Sequence, residues 1–227
     1  MNQPLPQRLV AETVGTAMLL AAVVGSGIMG ERLAAGNVAI ALLANSIATG
    51  GALVALILAF GPISGAHFNP VVTLAVAWRR GILWREVPPY ILVQIAGAVA
   101  GVVIAHLMFE LPLISASQHL RHGSSQMFSE AVASFGLLAV IFGSSRFRPS
   151  VVAFAVAAYI TAAYWFTAST SFANPAVTLA RCLTDTFAGI RPIDAPAFII
   201  AQIGGAAAAT VLFRWFDSGE SYEREST

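Results

Sequence analysis

The chain has 227 residues, of which 57% are hydrophobic and 10% are charged, and its mean hydropathy is +0.77. A soluble domain usually carries about 25% charged residues, so this composition excludes a water-soluble globular protein. The net charge of +1 does not indicate a nucleic-acid partner, and Cys182, the only cysteine, cannot form a disulfide within the chain. The composition predicts a polytopic protein of the lipid bilayer.

Six apolar segments are long enough, as helices, to cross a hydrocarbon layer of about 30 Å at about 1.5 Å per residue. The first begins just after Arg8 and exceeds the apolar part of a signal peptide, so we interpret it as a retained helix. The predicted spans are Leu9–Met29, Val38–Phe60, Pro89–Phe109, Met127–Ser145, Val151–Ala168 and Ala195–Phe216.

Two further apolar stretches, Asn69–Trp78 and Asn174–Leu183, are too short to span a bilayer. As helices they would be about 15 Å long, which is half of the hydrocarbon thickness and typical of re-entrant segments. The expected fold class is therefore an all-α membrane protein with six transmembrane helices and two re-entrant half-helices.

The arginines indicate an orientation, because basic residues are in excess on the cytoplasmic side of membrane proteins. With both termini cytoplasmic, eight arginines fall inside and four fall outside. The outer four are Arg32, Arg121, Arg181 and Arg191, and the inner eight are Arg8, Arg79, Arg80, Arg85, Arg146, Arg148, Arg214 and Arg224.

The two halves of the single predicted domain, residues 1–227, match each other. The segment ETVGTAMLLAAVVGS from Glu12 aligns with EAVASFGLLAVIFGS from Glu130, and YILVQIAGA from Tyr90 aligns with FIIAQIGGA from Phe198. Each half, roughly 9–109 and 127–216, contains three spans, so the second half must be inverted relative to the first. Inverted repeats place a functional site near the middle of the membrane, where the halves meet.

Each half-length helix is preceded by an asparagine and begins with a proline, at Asn69-Pro70 and Asn174-Pro175. Asparagine is a favoured N-cap and proline is favoured at the first helical position. If both helices begin at the membrane centre, their positive dipole ends oppose cations there, and the asparagine amides offer donors to a passing oxygen. This pattern predicts passage of neutral solutes rather than of protons or metal cations.

The chain resembles the aquaporin, or major intrinsic protein, family from Glu12 to Phe216. The resemblance rests on SGAHFNPVVT and FANPAVT, on the paired glutamates and on the repeat. It implies a passive channel rather than an enzyme, one pore in each subunit of a homotetramer, a location in the plasma (inner) membrane, and no cofactor or metal. The motif residues it assigns to the pore are Asn69, Pro70, Val71, Asn174, Pro175 and Ala176, with Val71 where the family usually has alanine.

The resemblance also implies a selectivity filter of four side chains toward the outer mouth, usually including an arginine three residues after the second asparagine. Counting from the asparagines without gaps assigns the filter to Thr49, Ala162, Ser171 and Val177. This set has no aromatic or charged side chain, which predicts a wide, arginine-free and mildly polar mouth. The assignment to Ala162 could shift by one residue, to Thr161 or to Ala163.

Arg181, one turn after Val177, provides an alternative, because helical side chains lean toward the N-terminus and arginine is long enough to reach the filter. Valine at the arginine position is similar to bacterial aquaglyceroporins linked to arsenic handling. That resemblance nominates neutral metalloid hydroxides such as arsenous acid, and methylated arsenicals, as solutes. The residues alone predict passage of small neutral hydroxylated solutes, with methyl groups tolerated, and the expected function is a passive channel for water and such solutes, including glycerol-like polyols.

Several ionisable residues could carry other functions. Glu12 and Glu130 lie within apolar segments, where carboxylates are usually functional; a proton-coupled transporter could use them, but the resemblance favours a scaffolding role. His67, two residues before Asn69, is a candidate for lining or gating the pore. A closed, structural membrane protein is the remaining alternative. The loop histidines His106, His119 and His122 match no metal-site spacing.

Overall fold

The structure is a computed structural model. It describes the backbone of residues 3–225 and the side chains of residues 3–218. All regular structure in these residues is helical. The eight α-helices are α1 Leu5–Leu33, α2 Val38–Ser64, α3 Pro70–Trp78, α4 Val87–Met108, α5 Ser124–Phe147, α6 Val152–Phe166, α7 Pro175–Arg181 and α8 Ala195–Glu225, and 3₁₀ turns at Trp84–Glu86 and Pro149–Val151 precede α4 and α6.

Six of these helices are long and apolar enough to cross a membrane, and α3 and α7 are the two short helices between them. The predicted fold class is therefore confirmed, and the chain is a multi-pass membrane protein. The main differences from the predicted spans are at helix ends: α1 extends four residues further at each end, to Leu5 and Leu33, α2 continues four residues further to Ser64, and α8 continues to Glu225.

Close helix pairs surround the two short helices, with α1 packed on α2 and α4, and α5 packed on α6 and α8. Glycines permit the closest approaches. A Cβ atom at Gly97 or Gly101 of α4 would lie 2.5 Å and 2.3 Å from backbone oxygens of α1, and one at Gly205 of α8 would lie 2.0 Å from a backbone oxygen of α5. Small residues allow such contacts in lipid, where helices associate by close packing. The two halves thus have glycines that permit close helix contacts at matching positions.

The bundle has two ends. At the first end, which we call the terminal face, α1 begins and α8 ends; there Arg79, after α3, and Arg146 of α5 both pair with Asp217 of α8. At the second end, the loop face, Arg32 of α1 donates a hydrogen bond to the carbonyl oxygen of Phe109, after α4. The loops that precede α3 and α7 enter the bundle from opposite ends and bring the two helix starts together in its interior.

Candidate pore

The loops that lead into α3 and α7 have an unusual backbone. Ala66 and Phe68 in the first loop have φ angles of +49° and +48°, and Ser171 and Ala173 in the second have φ angles of +52° and +47°. Residues with a Cβ atom rarely adopt this left-handed region. Neither loop therefore holds its shape by local preference, and each requires support from the surrounding helices.

Glu12 of α1 supports the first loop. Its Oε1 accepts hydrogen bonds from the Ser64 hydroxyl at 2.6 Å and from the His67 amide at 2.9 Å. Its Oε2 accepts from the Phe68 amide at 2.7 Å and from the Gln94 side chain at 2.8 Å. The carboxylate is fully buried, so these four donors replace its hydration.

Glu130 of α5 supports the second loop in the same way. Its two oxygens accept hydrogen bonds from the Phe172 and Ala173 amides, both at 2.8 Å, and from the Gln202 side chain at 2.6 Å. Gln202 also donates to the Thr178 hydroxyl at 2.9 Å. Like Glu12, Glu130 is fully buried and does not line the cavity described below.

The glutamines of these networks were not assigned a role from the sequence. Gln94 and Gln202 occupy matching places in the aligned segments YILVQIAGA and FIIAQIGGA, and each bridges a glutamate to a threonine one turn into a short helix, Thr73 in α3 and Thr178 in α7. A polar residue repeated in an apolar span was the signal that could have identified them.

The two asparagines meet where the short helices begin. Asn69 accepts a hydrogen bond from the Val71 amide at 3.0 Å, which makes it the N-cap of α3. Its Nδ2 donates across the interface to the carbonyl oxygen of Ala173 at 2.8 Å. Asn174 caps α7 through the Ala176 amide at 3.0 Å, and its Nδ2 donates to the carbonyl oxygen of Phe68 at 2.8 Å. Each amide group has a second N–H that these bonds do not use.

A cavity of about 430 Å³ runs past both asparagines. At the terminal face its wall includes Arg79, Gly81 and Ser145, and aliphatic side chains from α1, α2, α3, α5 and α6 form much of the remaining wall. The loop-face end of the cavity is more polar. Its residues are Thr49, Tyr164, Ser171, Val177 and Arg181.

Both loops contribute residues with unpaired backbone acceptors to the cavity wall. Among the residues that the structure describes, no donor reaches the carbonyl oxygens of Ala66 and His67 in the first loop or of Ser171 and Phe172 in the second. All four residues line the cavity. The cavity wall thus combines loop residues with unpaired backbone acceptors, the two asparagine donors and aliphatic side chains.

The position predicted at Ala162 is wrong. Ala162 is exposed on the outer surface of α6, and neither it nor the alternatives Thr161 and Ala163 lines the cavity. Tyr164 lines it instead, with its hydroxyl 3.1 Å from Thr49 Oγ1. The count without gaps failed because Tyr164 lies ten residues before Asn174 rather than twelve, so the connection from α6 to α7 is two residues shorter than the count assumed.

The prediction of a mouth without aromatic or charged side chains is also wrong, because Tyr164 and Arg181 both line it. Arg181 is 2% exposed. Its Nε donates to the carbonyl oxygen of Ala188, and its guanidinium carbon lies 3.4 Å from the centre of the Phe172 ring. Val177 lines the cavity as expected from its place in α7 and carries no polar group there.

The remaining candidates have distinct surroundings. His67 lines the cavity near Asn69, and its Nδ1 lies 3.1 Å from Thr73 Oγ1. His106 is buried, with Nε2 at 2.7 Å from Thr184 Oγ1, whereas His119 and His122 are exposed. No group of three metal-ligating side chains occurs within the part of the chain that the structure describes.

Comparisons with known proteins decide the family. The family model described as Major intrinsic protein matches residues 2–151 and 145–226 of this chain. The chain belongs to the major intrinsic protein family. Members of this family are channels, so the expectation that the chain is not an enzyme is confirmed.

Relatives cover nearly the whole chain. The aquaglyceroporin AqpS of Rhizobium meliloti is 54% identical over 211 residues, covering 93% of this chain and 90% of its own. The probable aquaporin AqpM of Archaeoglobus fulgidus is 31% identical, covering 95% and 98%. The X-ray structure of the aquaglyceroporin from Plasmodium falciparum superposes with a TM-score of 0.69 at 17% identity, covering 94% of this chain and 96% of that one, and shows the same fold.

Proposed function

We propose that this major intrinsic protein is a passive channel for water and small uncharged hydroxylated solutes, with glycerol as a representative. The observation that carries the proposal is the cavity itself, which extends from Arg79 at the terminal face, past Asn69 and Asn174, to Arg181 at the loop face. A solute with hydroxyl groups can donate to the loop carbonyls and accept from the asparagine amides, while its carbon skeleton contacts the aliphatic wall.

For the selectivity filter we propose Thr49, Tyr164, Ser171 and Val177, with Arg181 beside them. Val177 offers a small apolar surface where an arginine is common in the family. A solute with a methyl group would contact this surface without desolvating a charge. This supports neutral metalloid hydroxides such as arsenous acid, and methylated arsenicals, as finer proposals for the solute.

The alternative of a proton-coupled transporter is less well supported. Such a mechanism requires a carboxylate that reaches the transport path, whereas the oxygens of Glu12 and Glu130 are occupied by backbone amides and glutamines. The alternative of a closed structural protein is opposed by the cavity. For His67, we propose a role in lining the pore, with gating as a further possibility to test by its substitution.

The cellular setting is proposed from the family resemblance and the arginine distribution. We propose a homotetramer with one pore in each subunit, located in the plasma (inner) membrane with both termini cytoplasmic. The two halves are proposed to be inverted repeats within one domain, which is supported by the matching networks of Glu12 and Glu130.

Stopped-flow light scattering on proteoliposomes in an inward glycerol gradient tests the function, with empty liposomes as the control. Fast shrinkage followed by fast reswelling is expected for a channel that passes water and glycerol. Shrinkage and reswelling no faster than in empty liposomes would contradict the proposal. A dependence of glycerol entry on a proton gradient would favour the transporter instead.

Val177→Arg tests the filter in the same assay. The larger charged side chain should slow glycerol about tenfold, equivalent to about 1.4 kcal/mol in the barrier, and should slow water less because water is smaller. Val177→Ala is the control, since it keeps the position small and apolar. Equal effects on water and glycerol, or none, would count against Val177 as a filter residue.

A further inference from the structure

Arg181 has hydrogen-bonding capacity that the protein does not use. Its side chain is 2% exposed and lines the loop-face end of the cavity. Nε donates to the carbonyl oxygen of Ala188, but among the described residues neither Nη1 nor Nη2 donates to a protein acceptor. A nearly buried guanidinium with both terminal nitrogens unpartnered on a cavity wall indicates that the acceptor is a ligand.

A second positive charge lies beside the first. The guanidinium carbon of Arg121 is 5.0 Å from the centre of the Phe172 ring, the same ring that Arg181 contacts at 3.4 Å. Arg121 gives its donors to uncharged oxygens, namely the carbonyl of Gly189 at 2.8 Å, the carbonyl of Ser169 at 3.1 Å and the hydroxyl of Thr170 at 3.3 Å.

The neighbouring carboxylates are engaged elsewhere. Glu130 accepts from backbone amides and Gln202, and the side-chain oxygens of Asp194 accept from Arg191 and from the backbone amide of Arg121. Within the described residues, neither Arg121 nor Arg181 forms a salt bridge. The wall of the loop-face mouth therefore carries one guanidinium group, that of Arg181, and a second, that of Arg121, lies near the same Phe172 ring outside the cavity wall; neither is directly paired with a carboxylate among the described residues.

We propose that Arg181 forms a binding subsite for a small monovalent oxyanion, of the carboxylate or sulfonate class, at the loop-face mouth. The two Nη groups of a guanidinium bind two oxygens of such an anion side by side, which is the strongest arrangement available to arginine. Arg121 adds attraction through its charge. Further along the cavity the next donors are the neutral amides of Asn69 and Asn174 on a wall that is otherwise largely aliphatic, so an anion would have to give up its charged partner to proceed.

The bound anion should therefore occupy the mouth and slow the flux of neutral solutes. This consequence rests on the proposed channel function, whereas the binding itself does not. The two can be separated, because binding is measurable on the purified protein and flux is measurable in proteoliposomes.

Thermal unfolding of the purified protein in detergent tests the binding. Methanesulfonate is the probe, and dimethyl sulfone is its uncharged analogue of similar shape. A ligand that binds the folded state raises the unfolding midpoint, so methanesulfonate should raise it for the wild type and dimethyl sulfone should not. Arg181→Gln should abolish the shift. The matched control is Arg32→Gln, which removes an exposed guanidinium at the same end of the bundle but outside the cavity.

An equal midpoint shift in Arg181→Gln and Arg32→Gln would overturn the proposal, as would the absence of a shift in the wild type. Should Arg181→Gln not fold, Arg181→Lys serves in its place, because lysine keeps the charge but lacks the paired donors. A reduced shift is then expected, and an undiminished one would overturn the proposal.

Glycerol reswelling gives the second readout, with methanesulfonate at equal concentration on both sides and chloride as the matched salt. At an anion concentration equal to its Kd, half of the mouths are occupied, so the reswelling rate should fall about twofold in the wild type and in Arg32→Gln. Arg181→Gln should not respond. Fast reswelling that ignores the anion in all three proteins, together with an absent midpoint shift, overturns the subsite but leaves the channel function intact. With the midpoint shift present, the same reswelling overturns only the block of the mouth. Slow reswelling everywhere, with the midpoint shift present, overturns the function alone.

Discussion

The two loops that enter the bundle have nearly the same scaffold but lead to different mouths. In each loop a buried glutamate accepts two consecutive backbone amides, a glutamine bridges the glutamate to a threonine, and an asparagine caps the short helix and donates to the opposite loop. These contacts fix the left-handed residues of both loops. The symmetry between the two halves therefore lies in the hydrogen bonds that hold the two loops in place.

The mouths differ in how their charge is balanced. Arg79, at the end of α3, lies 4.2 Å over the Phe142 ring and pairs with Asp217 at 2.8 Å. Arg181, at the end of α7, lies over the Phe172 ring without a carboxylate partner among the described residues. Similar stacking thus gives a neutralised guanidinium at the terminal face and an unpaired one at the loop face. The filter that we propose lies at the loop face, where the symmetry between the two loops is broken.

The largest expected effect comes from breaking the shared scaffold with Glu12→Gln and Glu130→Gln. A glutamine has one acceptor oxygen in place of two and turns its NH₂ group toward buried donors. Two donors lose their acceptor in Glu12→Gln and one or two in Glu130→Gln, which should cost about 1–6 kcal/mol at about 1–3 kcal/mol per group. Thermal unfolding in detergent should show a lower midpoint for both variants, and a lower one for Glu12→Gln because Glu12 accepts four bonds and Glu130 three.

The exposed Glu31→Gln is the control for this pair and should unfold like the wild type. A scaffold variant as stable as Glu31→Gln would remove the argument that the carboxylates hold the loops. A much larger effect at Glu130 than at Glu12 would show that the two loops are not supported equivalently.

The sequence was sufficient to predict the spans and the starts of the two short helices because these signals are local, whereas it did not reveal the roles of Gln94 and Gln202 in the scaffold. Hydrophobic length identifies the six spans, and Asn-Pro before half-length apolar segments identifies the starts of α3 and α7. The filter could not be predicted in the same way. The exchange of Ala162 for Tyr164 depends on the length of one connection, and the position of Arg181 depends on a ring, Phe172, that folding brings beside it. Neither the length of that connection nor the contact between Arg181 and Phe172 can be inferred from a periodic sequence pattern.

An intermediate effect is expected at Tyr164, the filter position that we propose in place of Ala162. Tyr164→Ala removes an aromatic ring from the loop-face mouth, so glycerol reswelling in proteoliposomes should rise about twofold to fivefold, a barrier change of roughly 0.4–1 kcal/mol. Ala162→Phe adds a ring on the exposed side of α6 and should leave both glycerol and water flux unchanged. This pair distinguishes the observed register of α6 from the one counted along the sequence.

The reverse outcome, with Ala162→Phe blocking glycerol and Tyr164→Ala having no effect, would restore the register that the count predicted. Thermal unfolding of both variants is needed beside the flux measurement, since Tyr164→Ala also removes a partner of Thr49. A flux change accompanied by an unchanged unfolding midpoint assigns the effect to the width of the mouth.

The smallest expected effect concerns Asp194, which precedes α8 at the loop face. Its carboxylate accepts hydrogen bonds from the Arg191 side chain and the Arg121 backbone amide. Hydrogen bonds from Arg191 are the largest influence on Asp194 and hold its pKa below its usual value of 3.8; burial acts in the opposite direction, and the backbone amide of Arg121 lowers the pKa further. A lowered folded-state pKa means that the carboxylate contributes stability above its unfolded pKa and loses it as the pH falls through the folded one.

The unfolding midpoint of the wild type should therefore exceed that of Asp194→Asn by a constant margin between pH 7 and pH 5, and the margin should shrink below about pH 4. The double variant Arg191→Gln/Asp194→Asn should differ little from Asp194→Asn, because Arg191 acts through the carboxylate that is already removed. A margin that persists at about pH 2 would show that Asp194 supports Arg121 by shape rather than by charge. In that case the positive mouth would retain its structure in acid, and the anion subsite at Arg181 should stay fully occupied there by a strong-acid anion such as methanesulfonate.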